Sequence, residues 1–265
     1  MAVTGVEFAG VSFALPGGRD GATAPFLLRD ISLTMAAGTT TAVLGRSGSG
    51  KTTLLRMVNG LVMPTSGEVR VGGKSTQAYN PKELRRGIGY VIQETGLFPH
   101  MTVERNAGLA LELAGISGKP KDQRTADVLA LAGLDFPEFA RRYPWQLSGG
   151  QRQRVGLARA LATDPGVLLM DEPFGALDPL TRAEMQTMLR DLLQRVGKTV
   201  LLVTHDLDEA LYLAQRVVFL HAGEVVADLA AKDVLRSQND HVRKYVEAVH
   251  RAAPAQCESS IHPEL

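Results

Sequence analysis

Apolar and polar positions alternate at the start of the chain: Val6, Phe8, Val11, Phe13 and Leu15 lead to Pro16-Gly17-Gly18, and Leu28, Ile31, Leu33 and Met35 lead to Ala37-Gly38. A period near two predicts half-buried strands over Val3–Leu15 and Leu27–Met35, paired in a small antiparallel sheet. The turn-rich Gly17–Pro25 between them is expected to be an exposed loop. Thr40, Thr41, Ala42, Val43 and Leu44 then form a continuous β-branched and apolar run, and Thr53, Leu54, Leu55, Met57 and Val58 take up helical spacing. After the turn Pro64–Gly67, strands are predicted at Glu68–Val71 and Ile88–Gln93, with Asn80 capping a short helix that has Pro81 in its first position.

From Pro99 to about Ala162 the texture becomes helical. Leu109–Leu113, Thr125–Leu131 and Gly150–Leu161 are separated by Gly115, Gly118, Gly133 and Pro137, so a helical lobe is inserted between strands. Strands return at Val167–Met170 and Thr199–Val203 around a helix Pro179–Val196, a βαβ unit that implies a parallel sheet. A strand Val217–Leu220, a turn at His221–Glu224, a strand Val225–Ala227, a terminal helix Val234–Val249 and a frayed tail Pro254–Leu265 complete the pattern. The fold class is α/β: a mostly parallel sheet with flanking helices, an antiparallel part and an inserted α-helical part.

Composition narrows the role. A chain of 265 residues suits one large domain, or one with a lobe. Lys and Arg number 29 against 28 Asp and Glu, so no global field argues for nucleic acid. The single cysteine, Cys257, sits in the polar tail, which fits a reducing compartment. The start M-A-V-T-G-V-E-F lacks the basic and apolar regions of a secretory signal, and no apolar run approaches the roughly 18 residues of a membrane span. Any membrane role is expected to come through a partner.

Three stretches carry chemistry. Gly45-Arg46-Ser47-Gly48-Ser49-Gly50-Lys51-Thr52 follows a strand and opens a helix, the context in which such a loop cradles phosphates. Its glycines let backbone N–H groups approach an anion. Lys51 would reach the outer phosphates, and the Thr52 hydroxyl would ligate Mg²⁺. Val167–Met170 runs into Asp171-Glu172 at the carboxyl end of a buried parallel strand, where α/β sites assemble; Asp171 suits Mg²⁺ and Glu172 suits water activation. Leu147-Ser148-Gly149-Gly150-Gln151 precedes a long helix. It reads equally as a plain N-cap or as a second anion site, one that serves another molecule's nucleotide.

Taken together and in order, these stretches resemble the nucleotide-binding subunit of ATP-binding cassette (ABC) transporters over nearly the whole chain. Gly45–Thr52, with Thr53 behind it, resembles the Walker A loop, Gln93 the Q-loop glutamine, and Leu147–Gln151 the signature. Val167–Asp171 resembles Walker B with Glu172 as its catalytic neighbour, Gly175–Asp178 the D-loop, and Thr204-His205-Asp206 the switch-histidine segment. Alone, Gln93 would be an ordinary strand-end residue and His205 an ordinary surface one.

The resemblance implies a P-loop NTPase fold in a single ATPase domain over residues 1–250. The core and antiparallel part would occupy about 1–93 and 163–230, the helical part about 94–162, the C-terminal helix about 231–250 and the tail 251–265. It implies ATP and Mg²⁺ as cofactors, with Lys51, Gln93, Glu172 and His205 catalytic and Thr52, Gln93 and Asp171 around the metal. It also implies a head-to-tail homodimer, or pairing with a paralogous cassette. Each ATP would then lie between Walker A of one copy and Ser148, Gly149, Gly150 and Gln151 of the other, with Asp178 sensing the opposite site. One departure stands out. Leu15 occupies the place where the family carries an adenine-stacking aromatic, leaving either Leu15 or Phe13 against the base.

Gly89–Asn106 and Asp171–Arg182 resemble bacterial importers, and most of all the group moving glycine betaine, carnitine, choline and related osmoprotectants. The implied partners are membrane permease subunits, met through Gln93–Thr102 and the helical part, and indirectly a solute-binding protein, at the inner face of the cell membrane. Another solute, such as an amino acid, or a soluble non-transport ABC ATPase are the alternatives. Relatives often carry a regulatory domain after the cassette, and none is expected before Leu265.

Overall fold

In a computed structural model that describes residues 4–15, 26–93 and 95–250, the alternating start forms β1 (Val6–Ala14) and β2 (Phe26–Met35). The expected loop Gly17–Pro25 and the tail Pro254–Leu265 lie outside the described residues. The chain continues through β3 (Thr40–Leu44), α1 (Lys51–Val58), β4 (Ser66–Val71), β5 (Lys74–Ser75), α2 (Pro81–Arg86) and β6 (Ile88–Val91). A helical stretch follows: α3 (Val103–Leu113), α4 (Lys119–Leu131), α5 (Phe136–Phe139) and α6 (Gly149–Leu161). Then come β7 (Val167–Asp171), α7 (Pro179–Val196), β8 (Thr199–Thr204), α8 (Leu207–Leu213), β9 (Arg216–His221), β10 (Glu224–Ala230) and α9 (Asp240–His250).

Two sheets organise these elements. One has the order β2-β1-β4-β5 and is antiparallel; the other has the order β10-β9-β3-β8-β7-β6 and is parallel except for β10. Because β3 is covered on both faces, it needs no polar alternation. Ala42 and Leu44 enter one core with α3, α4, α6, α7 and α8, while Val43 enters a second with α1 and the antiparallel sheet. Leu168 and Met170 divide from Val167 and Leu169 in the same way along β7. Consecutive residues of one strand thus serve different cores, and the carboxyl ends of β3 and β7 are held rigidly side by side through β8.

The caps follow the expected chemistry. Asn80 accepts a 2.9 Å hydrogen bond from the Lys82 amide ahead of α2, and Asp178 accepts one of 3.1 Å from the Thr181 amide ahead of α7. Gly197, at φ 57°, ends α7. Two expectations are corrected and one element is added. The strand expected at Ile88–Gln93 ends at Val91, where a turn closed by the Thr95 amide on the Ile92 carbonyl (3.2 Å) takes the chain out of the sheet. The terminal helix expected over Val234–Val249 is broken: Ala231–Arg236 is a 3-10 stretch, and Asn239 Oδ1 accepts from the His241 and Val242 amides to start α9 afresh. Between β8 and β9 the chain also makes α8, which the sequence pattern does not reveal. No helix of the described residues is long and apolar enough to cross a membrane.

Candidate functional site

The loop between β3 and α1 is shaped by close approach. A Cβ on Gly45 would stand 2.4 Å from the Leu220 carbonyl oxygen and 2.6 Å from Ser49 Oγ, so only glycine fits there. Arg46, Ser47 and Gly48 are exposed at the crest, and Ser49 and Gly50 are buried beneath it. Gly50, at φ 99°, is the N-cap of α1 and offers no side chain to the first turn. Lys51 is only 5% exposed and donates to the carbonyls of Gly45 (2.8 Å) and Arg46 (3.1 Å). Burial lowers the pKa of its ammonium, against the opposing pull of Glu172 and Asp171.

The end of β7 meets this loop. Thr52 donates to Asp171 Oδ1 at 2.9 Å, and Tyr90 on β6 donates to Asp171 Oδ2 at 3.4 Å. Thr53, half-buried, lies one residue deeper in α1. Glu172 has φ 45°, a left-handed backbone uncommon for a non-glycine residue, and its amide donates to the Val203 carbonyl of β8 at 2.9 Å. This turn aims the carboxylate out of the sheet. Two side chains converge on Glu172 Oε2: Gln93 Nε2 at 3.4 Å and His205 Nδ1 at 3.3 Å. The His205 side chain is 62% exposed, so its other nitrogen faces open space beside the loop. The structure therefore brings Lys51, Thr52, Gln93, Asp171, Glu172 and His205 into one cluster.

The residues behind His205 form a partly buried set of hydrogen bonds. Asp206 caps α8, accepting from the Glu209 amide at 3.1 Å, and its own amide donates to Thr204 Oγ1 at 3.0 Å. Glu209 is bonded to the Thr204 hydroxyl, and burial pushes its carboxyl up to about 7. From α9, Tyr245 donates a 2.6 Å hydrogen bond to the His205 carbonyl, with its ring set edge-on to Phe219 at 5.7 Å. Burial and the neighbouring Asp206 push the phenol up to about 12, so it stays a donor.

Ser148 and its neighbours lie elsewhere. Ser148 Oγ accepts from the Gln151 amide (3.2 Å) while Gln151 Oε1 accepts from the Ser148 amide (2.9 Å), a reciprocal capping box on α6. Gly149 opens the helix, and Gly150 is buried against Thr181 of α7. The groove beside them includes Ser148, Gly150, Gln151 and Arg154 and contains no residue of the phosphate loop. Asp178 lies nearby, its carboxyl held below the usual carboxylate range by bonds from the Thr181 side chain and backbone. Just upstream, Tyr143 and Trp145 stack at 4.4 Å with Trp145 66% exposed. Neither candidate for the adenine contact joins the cluster: Phe13 packs half-buried on the second core, and Leu15 is 42% exposed. The register slips on both sides of Phe13, so simple alternation does not describe this end of β1.

Sequence reasoning missed the residues that hold the segment after Gln93. Asn106, fully buried on α3, accepts from the Phe98 amide (2.8 Å) and donates to the carbonyls of Phe98, Met101 and Thr102 (3.0–3.1 Å). Arg159 on α6 donates to the Gly96 and Thr95 carbonyls at 2.8 and 2.7 Å. An Asn inside a helical pattern, Asn106, is the one sequence signal that could have pointed to this.

A glycine-rich phosphate loop, a strand-end Asp beside its threonine, and a second carboxylate gripped by Gln and His together define a P-loop nucleotide site. Comparisons with known proteins agree. A family model described as ABC transporter matches residues 28–175. The chain is 44% identical over 220 residues to the glycine betaine/carnitine/choline transport ATP-binding protein OpuCA of Bacillus subtilis, covering 83% of this chain and 58% of that protein. It is 47% identical over 219 residues to the glycine betaine uptake system ATP-binding protein YehX of Escherichia coli, covering 82% and 71%. Among solved structures it resembles the dimeric ATP-binding cassette MJ0796 in a post-hydrolysis state bound to ADP and Pi, with TM-score 0.75 and 34% identity over 85% of this chain and 98% of that one. The chain belongs to the ABC transporter family. It spans little more than half the length of several curated relatives that it matches.

Proposed function

We propose that this chain is the ATP-binding and ATP-hydrolysing cassette of a bacterial importer for quaternary-amine osmoprotectants of the glycine betaine, choline and carnitine kind. In this reading it works as a head-to-tail dimer on membrane permease subunits, at the inner face of the cell membrane. The observation that carries the hydrolytic reading is the convergence of Gln93 and His205 on one oxygen of Glu172, beside the Thr52–Asp171 pair. The solute class is supported by the names of the relatives; those cited do not favour the amino-acid alternative.

The hydroxyl of Thr52, the carboxylate of Asp171 and the amide oxygen of Gln93 are hard oxygen donors that suit Mg²⁺, and the 2.9 Å Thr52–Asp171 contact already brings two of them together. Bound there, Mg²⁺ would neutralise charge on the phosphate oxygens. Lys51 exchanges its two loop carbonyls for the outer phosphates. Tyr90 keeps the Asp171 carboxylate oriented. With Oε2 of Glu172 held by Gln93, its other oxygen accepts a hydrogen bond from the attacking water, and His205 turns its N–H from Glu172 to the γ-phosphate. The partner copy supplies Ser148, Gly149, Gly150 and Gln151 to that phosphate, and Asp178 faces the opposite site. Closing and opening of the dimer is the work stroke.

The stroke is delivered to the permease through the Gln93–Thr102 segment, which Asn106 and Arg159 tie to the helical part. Beside it runs a groove of about 510 Å³ between α2, β6, α3 and α6, where Leu113 is 72% exposed and Arg85 and Arg86 form the rim. That apolar floor and basic rim suit a short helix of the permease. Glu172→Gln tests the scheme: the variant should bind ATP and dimerise while its turnover falls by at least about 100-fold. Brisk turnover would overturn the role of Glu172. Co-purification with a membrane permease tests the transport reading.

A further inference from the structure

Between the crest of the phosphate loop, the β9–β10 hairpin and α9 lies a cleft of about 580 Å³. It shares Gly45–Ser47 and His205 with the hydrolytic cluster and extends beyond it to His221, His241, Lys244 and Tyr245, which the hydrolytic scheme does not use. Five nitrogen-bearing side chains line it (Arg46, His205, His221, His241 and Lys244), and no carboxylate does. Among the described residues, the side chains of Arg46, His221, His241 and Lys244 make no hydrogen bond or ion pair. Four of the lining side chains are therefore without a hydrogen-bond or ion-pair partner among the described residues.

Aromatic rings make up part of the wall. Phe219 and Tyr245 meet edge-on at 5.7 Å, and the His221 and His241 rings lie 4.8 Å apart. The volume is that of an ordinary small-molecule site. The two fixed cations of the lining, Arg46 and Lys244, with no carboxylate among the lining residues, favour an anion, and aromatic faces accept a planar ring. The wall is also connected. Tyr245, which lines the cleft, is the residue whose hydroxyl holds the His205 carbonyl at 2.6 Å.

We propose that this cleft is a regulatory site for a planar organic anion of the nucleoside monophosphate class, with the phosphate met by Arg46 and Lys244 and the base by the aromatic wall. Occupancy bears on hydrolysis by shifting Tyr245 and, through it, the backbone that carries His205. The regulatory half rests on the ATPase reading above; the binding half does not.

Binding is tested by equilibrium dialysis of AMP against the full chain carrying Lys51→Ala, in which the catalytic cradle is weakened. One AMP per chain is expected, with affinity falling at least tenfold when Lys244→Ala and His241→Ala are added and at least tenfold weaker binding of inorganic phosphate. No bound AMP, or equal binding after those two changes, overturns the site, and phosphate binding as tightly as AMP overturns the planar class. Regulation is tested by steady-state ATPase kinetics. AMP is expected to change kcat at least twofold at saturating ATP in the parent, an effect lost in Lys244→Ala and His241→Ala, whose own kcat stays near the parent's. Tyr245→Phe is expected to bind AMP and lose the kcat response. A pure rise in KM that persists in Lys244→Ala places AMP in the catalytic cradle and overturns the proposal. A chain with no ATPase activity at all would instead sink the hydrolytic reading, and the dialysis result would still decide the site.

Discussion

The helix that starts at Lys51 and the helix that starts at Gly149 both have glycine at or next to their first turn, yet their first turns are satisfied in opposite ways. At α1 the cap is Gly50, with no side chain to offer, and the nearest cation, Lys51, is bonded to the carbonyls of its own loop. At α6, Ser148 and Gln151 close a reciprocal capping box at the surface. A helix end without a side-chain cap is left to a ligand. A self-capped end has part of its first turn satisfied already, and a ligand that displaces the cap costs about 1 kcal/mol. Charge-assisted bonds to a phosphate, at about 1.5–3 kcal/mol each, exceed that loss. In the proposed scheme the first end binds before assembly, and the second engages when a partner's nucleotide arrives.

The sharpest way to break this contrast is at the uncapped end. Lys51→Ala should lower ATPase turnover by at least about 100-fold with weaker nucleotide binding, read by steady-state hydrolysis and nucleotide titration. Next in size comes a third helix start, α8, where Glu209 sits in the first turn. Its carboxyl rises from 4.5 to about 7 on folding, so the folded chain holds the proton longer than the unfolded one. Its contribution is complete below pH 4.5 and is lost as pH rises through about 7. Glu209→Gln should flatten that fall in urea-unfolding free energy, by up to about 3 kcal/mol.

Ser148→Ala should lose about 1 kcal/mol of stability, the usual worth of a cap, while ATPase falls at least tenfold. If turnover falls no further than stability explains, Ser148 is a cap and nothing more. Asn80→Ala, at a plain helix start remote from the cluster, supplies the smallest effect. About 1 kcal/mol of thermal or urea stability should go, with ATPase unchanged.

Continuous apolar strands and strong punctuation were legible in advance. Helix α7 runs over Pro179–Val196 as expected, because Pro179 marks its first turn and Gly197 its end. The phosphate loop and the Asp171-Glu172 pair were legible because their chemistry is local. What stayed hidden depends on contacts distant in sequence. Tyr245 reaches His205 across 40 positions, and Arg159 holds Thr95 across 64. Helix α8 escaped notice because seven residues give too short a period to recognise, and the break before α9 rests on one side chain, Asn239. The faces of Phe13 and Leu15 were not legible for a related reason. A slipped register moves a side chain to the other face, and periodicity alone does not reveal the slip.

Trp145 is the only tryptophan in the 265 residues, and it lies exposed on Tyr143 three positions before the self-capped end of α6. The molecule therefore carries its own optical probe where a second copy is expected to close. Emission from a water-facing indole shifts to the blue and resists quenching by iodide once it is covered. Adding ATP to the Glu172→Gln chain and following that one fluorophore would time the closing of the dimer without attaching a dye.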